Sequence, residues 1–137
     1  MIRKKIGSLG RNSKKIEYKS EKACRKAFQN NLHAKFPRSK TKWLPKGMHL
    51  DGYNKKMGIA FEFQGIQHYE VDGYFNKTQE DLNKVKDRDK RKAKSCIENH
   101  ITLIPIKYDL IKWNDQKFCD NSVRNEIRLF GIKILRS

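Results

Sequence analysis

Met48-His49-Leu50-Asp51-Gly52-Tyr53-Asn54-Lys55-Lys56-Met57-Gly58-Ile59-Ala60-Phe61-Glu62-Phe63-Gln64 is the stretch that decides how this chain is read. Residues 48–53 and 59–64 are strand-like runs, and residues 54–58 between them are turn-like. A hairpin centred between Lys56 and Met57 sets Asp51 opposite Glu62. Strand alternation then puts Ala60, Glu62 and Gln64 on one face and Ile59, Phe61 and Phe63 on the other. The apolar set predicts a core face and the polar set a cleft. Each run carries a carboxylate where an apolar strand needs none.

Upstream of the hairpin, Cys24, Ala27, Phe28 and Leu32 recur at helical spacing and predict a helix from Glu21 to about Phe36. Ser20 is its candidate N-cap and Pro37 its stop. Residues 38–47 read as a basic loop around Trp43 and Pro45. Downstream, residues 65–78 read as a loop rich in glycine, aromatics and histidine. A helix is expected from about Gln79 to Asn99, with a stripe of Leu82, Val85, Asp89, Ala93, Cys96 and Ile97. Asp89 lies inside that stripe, whereas Asp87 is phased toward solvent. Ile101 to Ile106 reads as a buried strand, followed by a helix near Ser122 to Phe130 and a short tail, Ile132 to Leu135. The order α-β-β-α-β-α predicts an α/β domain with a mixed sheet. Residues 1–18 are expected to form a basic arm and residues 19–137 one domain, long enough for a single core.

The chain carries 32 Lys+Arg against 15 Asp+Glu, a net charge of +17. The charge is uneven: residues 1–47 hold 15 basic residues against Glu17 and Glu21, whereas residues 48–137 hold 17 against 13. The basic third is an electrostatic handle for a polyanion, and double-stranded DNA is the expected partner. The acids gather where chemistry would be. No apolar run approaches the roughly 20 residues of a spanning helix, so no membrane association is expected, and no signal-peptide pattern is present. Cys24, Cys96 and Cys119 are widely spaced, which predicts reduced thiols and neither a disulfide framework nor a zinc site. An intracellular protein is expected, and the Lys- and Asn-rich composition fits a phage or large DNA virus.

Asp51 and Glu62 are the candidate metal ligands. Mg²⁺ takes oxygen ligands, commonly one or two carboxylates completed by water and substrate phosphate. His68 follows the second strand and could reach the same cleft as a general base. Glu21 shares a helix face with Cys24, Phe28 and Leu32, so it points toward the core edge; it serves either the helix dipole or the site. Asp89, an acid in an apolar stripe, is aimed at the site. His33, His49 and His100 read as structural or surface groups, although His49 shares the strand face of Asp51. Lys84, Lys86, Arg88, Lys90, Arg91, Lys92 and Lys94 coat the long helix as a solvated face that also suits a phosphate track. Candidate DNA contacts are Arg3, Lys4 and Lys5 in the arm, Lys40, Lys42 and Trp43 in the loop, and Lys90 and Arg91 on the helix. There is no P-loop and no recognisable nucleophile elbow.

At Leu50-Asp51-Gly52-Tyr53-Asn54, Phe61-Glu62-Phe63-Gln64-Gly65-Ile66-Gln67-His68-Tyr69 and Asp87-Arg88-Asp89-Lys90-Arg91-Lys92, the sequence resembles the very-short-patch-repair-like branch of the PD-(D/E)XK nuclease superfamily. It is most similar to phage homing endonuclease catalytic domains with an E-D-x-H-D active site. The resemblance covers about Glu21 to Tyr108. It implies a restriction-endonuclease-like mixed sheet flanked by helices and Mg²⁺-dependent DNA cleavage, with Mn²⁺ able to substitute. Carried over by motif, Glu21 fits the helix glutamate, Asp51 the metal aspartate, Glu62 the acid of the second motif, His68 the histidine and Asp89 the final aspartate. Gln64 stands where the wider superfamily often has a lysine, which shifts the stabilisation of hydroxide onto His68 or the metal. No sizeable specificity domain accompanies the motifs. A structure-selective, junction-resolving nuclease and a non-catalytic DNA-binding module on a degenerate nuclease fold are the alternatives.

Overall fold

The computed structural model describes residues 2–65 and 78–134, with side chains from residue 15 onward. Helix α1 runs Ile2–Leu32, strands β1 and β2 are Gly52–Asn54 and Ile59–Gln64, and helix α2 is Gln79–Glu98. Strand β3 is Thr102–Lys107, a 3₁₀ turn covers Tyr108–Leu110, and helix α3 is Gln116–Leu129. The sheet has the order β1-β2-β3, with β1 antiparallel and β3 parallel to β2. The α/β class with a mixed sheet is thus as expected.

The hairpin forms in the expected register. Gly52 pairs with Phe61 and Asn54 with Ile59, which sets Asp51 at the rung opposite Glu62. The turn is held by Asn54, whose Oδ1 accepts from the Met57 N–H at 2.8 Å, and by Gly58 at φ +66°. Gly52 is required for a different reason. A Cβ there would meet the Phe61 ring within bonding distance, so the aromatic lies directly on the glycine backbone.

Ile59, Phe61 and Phe63 face the main core with Ile104 and Ile106 of β3, packed under α1 and α3. Phe28 of α1 stacks on Phe61 at 4.6 Å and tilts against Phe36 at 5.5 Å. Truncating a buried ring of this size typically costs about 3–5 kcal/mol. Asn31 ties the two helices together: its Nδ2 donates to the Asp120 carbonyl and its Oδ1 accepts from Arg124 Nε. The opposite sheet face carries a second, smaller cluster of Leu44, Met48, Leu50, Tyr53, Ala60 and Cys96, capped by α2. Trp43 packs edge-on against Tyr53 at 6.2 Å, half-buried beside this cluster.

Three expectations need correction. Helix α1 begins at Ile2 and ends at Leu32, so the backbone of residues 2–18 is helical. Ser20 is a buried interior residue and caps nothing. The burial period Ser20, Ala23, Cys24, Ala27, Phe28, Asn31 continues one helical stripe. Strand β3 is an edge strand, buried only at Ile104 and Ile106 and exposed at Pro105 and Lys107. Ile97 was placed in the α2 stripe but is 74% exposed, whereas Lys92, placed among the solvated cations, is buried. Among the described residues, no helix is long and apolar enough to cross a membrane.

Candidate active site

The two strands and two helices bring Glu21, Asp51, Glu62 and Asp89 to one cleft of about 520 Å³. Glu21 enters from α1, one turn before Cys24. Asp51 sits just before β1, Glu62 lies within β2, and Asp89 comes from the inner face of α2. Asp51 and Glu62 are both buried. Charged side chains are rarely buried without partners, so the partners define the site.

Asp51 is the most fully bound. Its Oδ2 accepts from the Phe63 N–H at 2.8 Å, and its Oδ1 lies 3.3 Å from His49 Nε2. His49 Nδ1 in turn lies 3.2 Å from Arg38 Nη2. A guanidinium can only donate, so Nδ1 accepts and Nε2 carries the hydrogen directed at Asp51. Arg25 clamps the same segment by donating to the backbone carbonyls of Asp51 and Phe36 at 2.6 and 3.1 Å. Burial works against ionisation of Asp51. Hydrogen bonds from His49, Glu21 and the Phe63 N–H, with the charge of Lys92, nonetheless hold its carboxyl below the usual range.

Glu62 is held differently. Its Oε1 accepts from Lys92 Nζ at 2.7 Å. Its Oε2 is buried and, among the described residues, has no hydrogen-bond partner. An orphaned buried carboxylate oxygen is costly and calls for an explanation. Burial, followed by the negative charge of Asp51, pushes the Glu62 carboxyl up to about 8, more than Lys92 lowers it. Burial and a hydrogen bond with Asp51 likewise push Glu21 up to about 7. These acids cannot all ionise comfortably side by side without a cation.

This crowding has a thermodynamic consequence. Between the ordinary glutamate value of 4.5 and about 7 to 8, the folded protein holds protons on Glu21 and Glu62 that the unfolded chain has released. Their contribution to stability is full below 4.5 and is lost as pH rises through the folded values. Asp51, with its value lowered, contributes above its unfolded value and loses that contribution only at the acid end. The melting temperature in EDTA should therefore fall between about pH 5 and 8.5. Mg²⁺ should raise it more at the alkaline end, where the carboxylates are ionised. Equal Mg²⁺ effects at both ends would mean that these acids do not bind the ion.

Of the remaining expectations, Asp89 faces the cleft, close enough to raise Glu62. Asp87 is outside, paired with Arg91 at 3.2 Å on the solvated face. Asp89→Ala should therefore alter whatever activity the cleft carries, whereas Asp87→Ala should leave it unchanged and shift stability by only about 0.3–0.5 kcal/mol. The reverse pattern in an activity assay and a melt would show that the other aspartate is the functional one. Gln64 is half-buried at the end of β2 and lines a neighbouring groove. His68 lies outside the described residues, as do the side chains of Arg3, Lys4 and Lys5. Lys40, Lys42, Lys90 and Arg91 are exposed.

Sequence reading missed two residues at this site. Lys92 follows Asp89 by three positions and Val85 by seven, so helical phase alone marks it as inward. It was masked by the cations around it. His49 stands two residues before Asp51 in an extended segment and so shares its face. His33 and His100, in contrast, take the left-handed conformation just beyond α1 and α2 and serve the helix ends. All three cysteines are free and buried. Burial pushes each thiol up, Cys96 to about 11, which removes them as nucleophiles.

Among the described residues, no three His, Cys, Asp or Glu side chains form a ready metal cluster. The residues nonetheless fit a cation that draws on two carboxylates. The Glu62 Oε2 lacks a partner, and Asp51 lies at the facing rung.

No family model matches the chain, and no solved structure matches it. It is 33% identical over 105 residues to uncharacterized protein 094L of Frog virus 3 (isolate Goorha), a match spanning 72% of this chain and 68% of that protein. It is 26% identical over 108 residues to uncharacterized protein 033L of Invertebrate iridescent virus 3, spanning 75% of this chain and 56% of that protein. A shorter match, 33% identical over 61 residues, covers 44% of this chain and 31% of uncharacterized protein 307L of Invertebrate iridescent virus 6.

Proposed function

The chain belongs to the same family as protein 094L of Frog virus 3, and we propose that it is a divalent-metal-dependent endodeoxyribonuclease that nicks or cuts DNA. The observation that carries this reading is the buried Asp51–Glu62 pair across the hairpin, with one Glu62 oxygen unsatisfied, on a chain of net charge +17. A buried acid pair would repel the DNA that the rest of the surface attracts. A cation between acids and phosphate removes that conflict.

Asp51 and Glu62 would hold the ion. When bound, Mg²⁺ would polarise a phosphoryl oxygen and lower the pKa of a coordinated water. The chain's own residues arrange the rest. His49 and the Phe63 N–H fix the rotamer of Asp51. Lys92 fixes Glu62 and brings an ammonium into the cleft, the charge that a glutamine at position 64 cannot supply. Glu21 hydrogen-bonds with Asp51 and would release its proton to solvent if a cation were bound. The resemblance to E-D-x-H-D nucleases supports the same assignment and gives His68 the role of general base. Arg88 at the acidic cleft and Lys86 and Lys90 on the other flank of α2, all exposed, would contact phosphates on either side of the site.

The direct test is nicking of supercoiled plasmid with Mg²⁺ or Mn²⁺ and with EDTA. Cleavage is expected only with the divalent ion. Duplex affinity should fall by on the order of 10³-fold between 50 and 200 mM salt if six or more phosphates are contacted. Salt-sensitive binding with no nicking under any divalent ion would make the protein a binding module.

A further inference from the structure

A second cavity, about 610 Å³, opens on the far side of Glu62 and Lys92. It has a different chemical character. The cavity lies where α2 passes over β3: Leu103 and Pro105 of β3 form an apolar floor, and Ile97 and Phe130 line it from α2 and the end of α3. Ile97 is 74% exposed and Phe130 43%. The groove adjoins the acidic cleft, and Glu62, Asp89 and Lys92 line both.

We propose that this groove receives an unpaired nucleobase of the DNA strand whose phosphate lies in the acidic cleft, so that the protein selects DNA with a bulged, flapped or single-stranded nucleotide at the cut. The inference rests on the endonuclease reading and adds a substrate class to it. Volume and lining suit a flat ring: ligand pockets run about 300–1,000 Å³, mostly apolar with a few polar groups. Lys90 at the rim is suited to the phosphate on one side of such a base. A second copy of the chain is disfavoured as occupant, because two surfaces of +17 repel, whereas a polyanion is attracted.

The test uses the full chain in EDTA, where no cleavage interferes. Affinities are measured by fluorescence anisotropy for a duplex and for the same duplex with one unpaired 2-aminopurine. The wild type should prefer the bulged probe by on the order of tenfold or more, in line with the usual worth of seating one base on an apolar platform. Ile97→Ala and Phe130→Ala, both at exposed positions, should lose that preference, keep duplex affinity and keep the wild-type melting temperature. Equal wild-type affinities, or a preference unchanged in both variants, would overturn the proposal. So would a wild-type dimer that both variants convert to monomer, since a second copy would then fill the groove. The parent reading is scored separately: nicking without bulge preference removes only the groove assignment, and bulge preference without nicking removes only the endonuclease.

Discussion

Asp51→Asn and Glu62→Gln are each expected to abolish divalent-dependent nicking while leaving the fold intact. The amide at position 51 keeps an oxygen to accept the Phe63 N–H now held at 2.8 Å. The amide at position 62 keeps an oxygen for Lys92 Nζ, now at 2.7 Å. Each change deletes a negative charge that a hard cation requires; at position 51 it also gives up the hydrogen bond from His49. Duplex affinity in EDTA should hold or rise, because an acid facing phosphate is repulsive. Plasmid nicking, anisotropy and a thermal melt separate the three quantities. If either variant nicks at the wild-type rate, Asp51 and Glu62 are not the metal pair.

Lys92→Met should lower cleavage by about 10²–10³-fold, the usual effect of removing one preorganised charge from a reaction centre. Methionine approximates the volume of the lysine stem, so the packing beside Cys96 and Ala93 survives. Removing one partner of a buried ion pair normally costs about 3–5 kcal/mol. Here the cost should be smaller near neutral pH, because Glu62, already pushed up to about 8, can take up a proton instead. The informative readout is Mn²⁺ affinity. Losing a nearby cation should leave it unchanged or tighten it while the rate falls. A joint loss of Mn²⁺ affinity and rate would mean that Lys92 only holds Glu62 in place.

The hairpin was legible because two local rules agree there. A turn centred between Lys56 and Met57 and a two-residue alternation give the same register, and β2 has the expected bounds, Ile59–Gln64. The phase of α2 was legible at Asp89 and Asp87 for a similar reason. It failed at Ile97 and Lys92. Ile97 is apolar yet 74% exposed, and Lys92 is charged yet reaches Glu62 thirty residues away. A pairing of that kind depends on which helix crosses which strand, and no local pattern encodes the crossing. The start of α1 was hidden because Ile2, Ile6, Leu9 and Ile16, although at helical spacing, stand among Gly7, Gly10 and a run of cations that read as an arm. The run from Ile101 to Ile106 has the composition of a buried strand but lies at the sheet margin, where only alternate residues meet the core.

That margin bears on how the molecule tolerates crowding. Six consecutive residues of β2 are registered against β3, so the donor that Pro105 lacks is one the sheet interior does not need. On the open side, a proline midway along the strand and an exposed Lys107 break the row of groups that a stray strand would require. Among the described residues, the open side of the sheet is thus interrupted by a proline and not covered by a further element. That interruption is covalent, so it weakens strand-to-strand self-association along this edge at any salt concentration.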